Sequence, residues 1–251
     1  MKLTFLGTGN ESGVPVYGCN CKACQRALVV RDYHRFASVV LVESGGMQLL
    51  INAGLTDLAT RFPPGTLQYI LLSSVQIQHI QGLVNLRWGE NITINVISPK
   101  GMPDCIDVWE RHGIFQINNN ITPFVELELK TLRVVPVPLS PDENHFGYVI
   151  RNQKSIFAYL SKTTDIPQAT LEYLDGSQLD LLILNCIYPP KKEKPKTEDD
   201  INSTMELHHR FKPTRTLLTG IGHELDVWAI DNEESLPSNM ELATDRLTLA
   251  V

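Results

Sequence analysis

A chain of 251 residues, 43% hydrophobic and 20% charged, can bury a sizeable core as one globular domain over 1–251 without disulfide staples. A net charge of −6 and a pI near 5.6 count against a nucleic-acid backbone or an anionic membrane as the main partner. A small molecule or another protein is left.

The first apolar run, residues 2–6, reads as a strand and stops at Gly7. It is too short for a signal-peptide core or a membrane span, so a cytoplasmic location is expected. Further strands are predicted at 38–42, 48–51, 69–72 and 92–97, set apart by Gly, Pro and Asn. A helical pattern at 103–111 leads into a second series of strands at 125–129, 133–137, 146–150, 155–160, 181–184, 215–219 and 247–251. Helical patterns at 167–173, 203–211 and 224–230 lie among them. Two comparable halves of strands joined by crossover helices suggest stacked sheets flanked by helices, an α/β architecture. Residues 188–200, dense in proline and charge, read as a solvated loop.

Two motifs carry chemistry. The glycine-rich run Gly7-Thr-Gly-Asn-Glu-Ser-Gly13 follows a strand, as a dinucleotide-binding turn would. Its spacing is off by one residue, and Val14-Pro15-Val16 is no helix start, so it is read as a tight loop at the sheet edge. Cys19, Cys21 and Cys24 crowd into six residues, close enough to share one tetrahedral ion in a reducing compartment. Spacing leaves the fourth ligand open among the histidines, Cys105 and Cys186.

The segments FLGTGNESGVPVYGCNCKAC (5–24), LLSSVQIQHIQGLVNLRWG (71–89), VVPVPLSPDENHFGYVI (134–150) and LLTGIGHELDVW (217–228) resemble the PhnP group of metallo-β-lactamase-fold phosphodiesterases, which serve carbon-phosphorus lyase in phosphonate breakdown. The resemblance is collinear over essentially the whole chain. It implies an αββα four-layer sandwich, a di-metal cleft at the sheet edge, and a separate structural zinc held by Cys19, Cys21, Cys24 and His223, the loop 19–24 being an insertion. It also suggests a homodimer. The catalytic ligands do not carry over. The family's His-x-His-x-Asp-His run falls on Ser74, Gln76, Gln78 and His79, so only the last histidine survives. The later histidine, bridging aspartate and final histidine fall on Pro141, Lys162 and Gly220. Asn52 replaces the aspartate of the Ile-Asp-Ala-Gly strand end, and a histidine that assists phosphate chemistry falls near Glu198.

Two divalent ions a few ångströms apart are held by carboxylates and neutral imidazoles that compensate their charge. Lys162 puts an ammonium where that carboxylate should be, and like charges at such range cost several kcal/mol unless well solvated. The expectation is therefore one structural zinc, no catalytic di-metal centre, and a non-catalytic role in binding a phosphorylated small molecule or a protein partner. Two alternatives stand beside it. One is an active cyclic-phosphodiester hydrolase with an altered metal site, for which His145, His208, His209 or a pair of Lys162 with Ser73, Ser74 or Ser161 are the candidate groups. The other is a non-hydrolytic role like that of PqqB proteins.

Overall fold

The computed structural model describes residues 1–191 and 199–251. Alternation of side chains along each strand builds two seven-stranded sheets, each apolar on both faces. The first is made of β1 (Lys2–Gly7), β2 (Val39–Ser44), β3 (Met47–Ile51), β4 (Leu67–Leu71), β5 (Ile94–Ile97), β6 (Phe115–Asn118) and, from the chain's far end, β14 (Thr248–Ala250). Its order is β14-β1-β2-β3-β4-β5-β6. The second has the order β13-β12-β11-β10-β9-β8-β7. It uses β7 (Leu127–Leu129), β8 (Leu132–Pro138), β9 (Phe146–Arg151), β10 (Ile156–Leu160), β11 (Leu181–Asn185), β12 (Arg215–Thr219) and β13 (Met240–Leu242).

Val40 and Val42 of β2 point into the seam between the sheets, where they meet Tyr148, Phe157 and Tyr159 of the second sheet. Val39 and Leu41, one residue out of phase, face the opposite way and pack under α2 (Leu58–Arg61), α3 (Ile77–Ile80), α4 (Leu83–Leu86) and α5 (Ile106–Glu110). Ala158 and Leu160 likewise face α6 (Gln168–Asp175), α7 (Ile201–Phe211) and α8 (His223–Asn232). Helices, sheet, sheet and helices make four layers, the αββα sandwich the resemblance implies.

Some elements were not foreseen. The cysteine segment does not stay a loop: Cys21 caps α1 (Lys22–Val29), its sulfur accepting from the Cys24 amide. β6 and β13 are also additions. Most of the proline-rich stretch predicted as a loop lies outside the described residues. Gly7 ends β1 because the chain there runs hard against the segment leading into β2; a Cβ would sit 2.2 Å from the Ala37 carbonyl oxygen. The following loop then bridges the sheets, with Gly9 pairing to both Ala37 and Ile221. It therefore reaches the sandwich edge, as read, and forms one wall of the cleft described next.

Candidate functional site

Two sites draw on the loops at one edge of the sandwich. The first lies where α1 and α8 meet. Cys19, Cys21, Cys24 and His223 place their ligating atoms within 4.8 Å of one another, the one such group of three or more Cys, His, Asp or Glu among the described residues. The Cys19 and Cys21 sulfurs stand 3.4 and 3.5 Å from His223 Nδ1. Zinc bonds of about 2.3 Å to sulfur and about 2.0 Å to nitrogen, opened to the tetrahedral angle, put such a pair about 3.5 Å apart, so the donor set fits zinc. Charge points the same way. Burial, against the donation of the Val16 amide, pushes the Cys24 thiol up to about 12, and a bound dication would bring it to thiolate. The Val16 amide donates to Cys24 Sγ at 3.3 Å, an outer contact that orients the ligand.

The second site is a cleft of about 280 Å³ at the carboxyl ends of β3, β4, β10, β11 and β12. Gln76, Gln78, His79, Lys162 and Gly220 line it, as do Asn10 and Glu11 of the N-terminal loop. Asn52 and Ser74 are buried just beneath. Asn52, in the left-handed region at φ 64, accepts from the Ser73 amide at 2.9 Å and donates to the Tyr159 hydroxyl at 3.2 Å. An asparagine tolerates that backbone, and its amide satisfies both neighbours without charge. Pro141 is exposed and does not line the cleft; His145, four residues on, does.

These side chains satisfy each other. Ser74 Oγ lies 2.7 Å from His79 Nδ1, Gln78 Nε2 donates to Gln76 Oε1 at 2.9 Å, and His145 Nε2 is 3.4 Å from the same oxygen. The position of Gly220 is filled by a neighbour. A Cβ there would stand 1.7 Å from Asn185 Oδ1, and Gly220 has φ +68. Asn185 in turn donates to Asp199 Oδ2 at 2.6 Å. A histidine at 220 would need Asn185 moved and that hydrogen bond broken, so the difference from the family pattern is locked in by a second residue.

Three charged side chains line the cleft, Glu11, Lys162 and Asp199. Asp199 is buried and caged by neutral donors: the Thr163 amide at 2.7 Å, its hydroxyl at 2.9 Å, and Asn185. Burial raises its carboxyl above the ordinary range, while Asn185, Thr163 and the Lys162 charge pull the other way. Lys162 makes no ion pair with any described residue. Beside it, Ser161 Oγ is buried without a hydrogen-bond partner. Burial, then Lys162, lowers His145, with Asp142 opposing. Sequence reasoning missed Ser161's orphaned hydroxyl as well as Asn185 and Tyr159, whose only sequence signal is their place at or near strand ends, and Asp199, which lies just before α7. His208, on α7, hydrogen-bonds Thr216 at 2.9 Å away from the cleft, and Glu198 lies outside the described residues.

His79 supplies a prediction. Burial, aided by His145, pushes its imidazole down to about 3. The unfolded chain takes up that proton below about pH 6.5, so this stability is intact above that pH and is lost as pH falls from there towards 3. His79→Gln should show a smaller drop in melting temperature between pH 7 and pH 5 than the parent. An equal drop would mean that His79 carries none of the acid sensitivity.

Residues 48–221 match the family described as Beta-lactamase superfamily domain. Over 98% of its length the chain is 23% identical to the octanoyltransferase of Porphyromonas gingivalis (strain ATCC BAA-308 / W83), of which it covers 51%. It spans 35 to 51% of the length of the curated relatives it matches. Among solved structures it resembles a new diphosphatase from the PhnP family, with a TM-score of 0.81 and 24% identity over 100% of this chain and 97% of that one. It also resembles Zn(2+)-bound PqqB from Methylobacterium extorquens, with a TM-score of 0.79 and 19% identity over 100% of both chains. At these identities the likeness is one of fold.

Proposed function

Because the chain belongs to the beta-lactamase superfamily, we propose that it keeps the scaffold and its zinc staple, lacks the hydrolytic metal pair, and uses the cleft to bind a phosphorylated small molecule. The observation that carries this reading is the composition of the cleft. Ser74, Gln76, Gln78 and Asn185 are hydrogen-bonded neutral groups where dications need compensating charge, and Lys162 adds an ammonium. When bound at Cys19, Cys21, Cys24 and His223, zinc supplies structure, its four positions taken by protein.

Lys162 is placed to hold an anion. It has no ion-pair partner among the described residues, and the nearby Asp199 carboxylate already receives three neutral hydrogen bonds. A phosphate oxygen can take up the Lys162 ammonium, and the unpartnered Ser161 hydroxyl, buried beside it, can join by turning toward the cleft. A place in phosphonate breakdown follows from the resemblance and belongs to the same proposal.

Calorimetry with a phosphate monoester should show binding to the parent that weakens about tenfold in Lys162→Met, most at low salt. Bis(p-nitrophenyl) phosphate should not be turned over, with or without manganese, since an activated hydroxide needs a metal to lower the pKa of water. Equal affinity in Lys162→Met removes Lys162 from the site, and turnover abolished by a chelator overturns the non-hydrolytic reading.

A second reading is favoured by the end-to-end likeness to PqqB and by the 29% identity, over 38% of this chain, to coenzyme PQQ synthesis protein B of Rhodopseudomonas palustris (strain BisB5). It gives the chain a non-hydrolytic part in the synthesis of that coenzyme. Restored coenzyme production in a strain lacking PqqB would favour it.

A further inference from the structure

A large surface hollow lies at the opposite end of the same strands. β3 and β10 each run five residues, ending at the cleft and beginning at this hollow, so about 17 Å of strand separates the two. The hollow, of about 840 Å³, opens where three turns converge: Ser44–Gly45 between β2 and β3, Lys130–Thr131 between β7 and β8, and 152–154 between β9 and β10. The two sheets touch here, with Thr131 Oγ1 donating to the Ser44 carbonyl at 3.0 Å and its methyl lying against Gly45.

Four cationic side chains line it: Lys130, Arg133, Arg151 and Lys154. Strand register sets the arginines side by side, Glu128 opposite Arg133 and Arg133 opposite Arg151. Glu126 is held by both arginines, and Glu128 lies 3.8 Å from Arg133. Two carboxylates thus answer two guanidinium groups. The Lys130 and Lys154 ammoniums have no ion-pair partner among the described residues. Asn152 Oδ1 accepts from the Lys154 amide at 2.8 Å, which fixes the turn that carries it. On a chain of net charge −6, this is a local excess of positive charge with two unanswered cations on separate turns.

The geometry points to a second anion site here, independent of the cleft, for a small ligand bearing two or more phosphate or carboxylate groups. Two separate ammoniums ask for two anionic groups. The arginines, shared with glutamates, can add hydrogen bonds from donors their carboxylates leave free. Among the described residues no aromatic side chain lines the hollow.

The test titrates the zinc-loaded chain with pyrophosphate, citrate and inorganic phosphate. The variants are Lys130→Asn with Lys154→Ala, and, separately, Lys162→Met. Asn suits the left-handed backbone of Lys130 at φ 51, so the double variant should fold like the parent, checked by its melting temperature. Pyrophosphate or citrate should bind more tightly than phosphate. The double variant should weaken that binding about tenfold, whereas Lys162→Met should lose only the phosphate binding assigned to the cleft and keep the preference for multivalent anions. If phosphate arms tighten but citrate does not, the ligand is a polyphosphate; if both do, charge alone selects it. The inference is overturned if no multivalent anion binds, if the double variant binds like the parent, or if only Lys162→Met abolishes binding, which assigns the anion to the cleft.

Discussion

Replacing His223 with Ala is expected to lower both zinc retention and melting temperature, with Cys21→Ser matching it and His145→Ala changing neither. His223 opens α8 and stands 3.4 and 3.5 Å from two sulfurs of a segment some two hundred residues earlier, so the ion would tie the N-terminal turn to the C-terminal helix. Structural zinc sites of this type bind with apparent free energies of about 10 to 16 kcal/mol, and part of that is folding stability. Loss of one ligand leaves an open position, water in place of nitrogen, and thiolates more prone to oxidation. Full zinc content and an unchanged melting curve in His223→Ala would place the fourth ligand elsewhere.

The second large effect is expected at Arg35. Its guanidinium makes two 2.8 Å bonds to Asp226 and two more, to Thr8 Oγ1 at 2.9 Å and to the Ala243 carbonyl at 2.6 Å. Both charges are buried, at 8% and 3% exposure, so removing one leaves the other without compensation. Breaking such a pair costs about 3–5 kcal/mol, against a total stability of about 5–15 kcal/mol. For a chain of this size Arg35→Ala should therefore melt about 6–20 °C lower. Arg35→Lys should fall between the two, because an ammonium cannot make the paired contact to Asp226 or reach four acceptors. The double change Arg35→Met with Asp226→Leu should cost less than Arg35→Ala, since no charge is left stranded. A drop of under one degree in Arg35→Ala would show that the pair contributes little. The network also joins Asp245, which accepts from Thr8 Oγ1 and the Phe36 amide, so N-terminal loop, α8 and C-terminal segment share one polar core.

Much of this fold is legible in the sequence because most sheet strands are short apolar runs between Gly, Pro or Asn. Residues 69–72 and 155–160, for example, were placed within two residues of β4 and β10. α1 was not, since its N-cap is a cysteine, outside the Ser, Thr, Asp and Asn that mark helix starts. β6 and β13, at three or four residues, lie at or near sheet margins and carry little pattern of their own. In the cleft, Gln76, Gln78 and Lys162 were readable from one collinear segment each. The rest depends on tertiary contact: Asn185 fills the space over Gly220 from thirty-five residues away, and the turn after β8 leaves Pro141 outside while bringing His145 in. No local spacing encodes either.

The proposed function sets four matched zinc ligands, Cys19, Cys21, Cys24 and His223, against a cleft in which neutral amides and Lys162 stand where a metal pair would need compensating charge. Metal analysis of the purified chain, after incubation with manganese and zinc and exhaustive dialysis, tests this most directly. Close to one zinc per chain and no manganese is the expected result. Two or three tightly held metals per chain would contradict it.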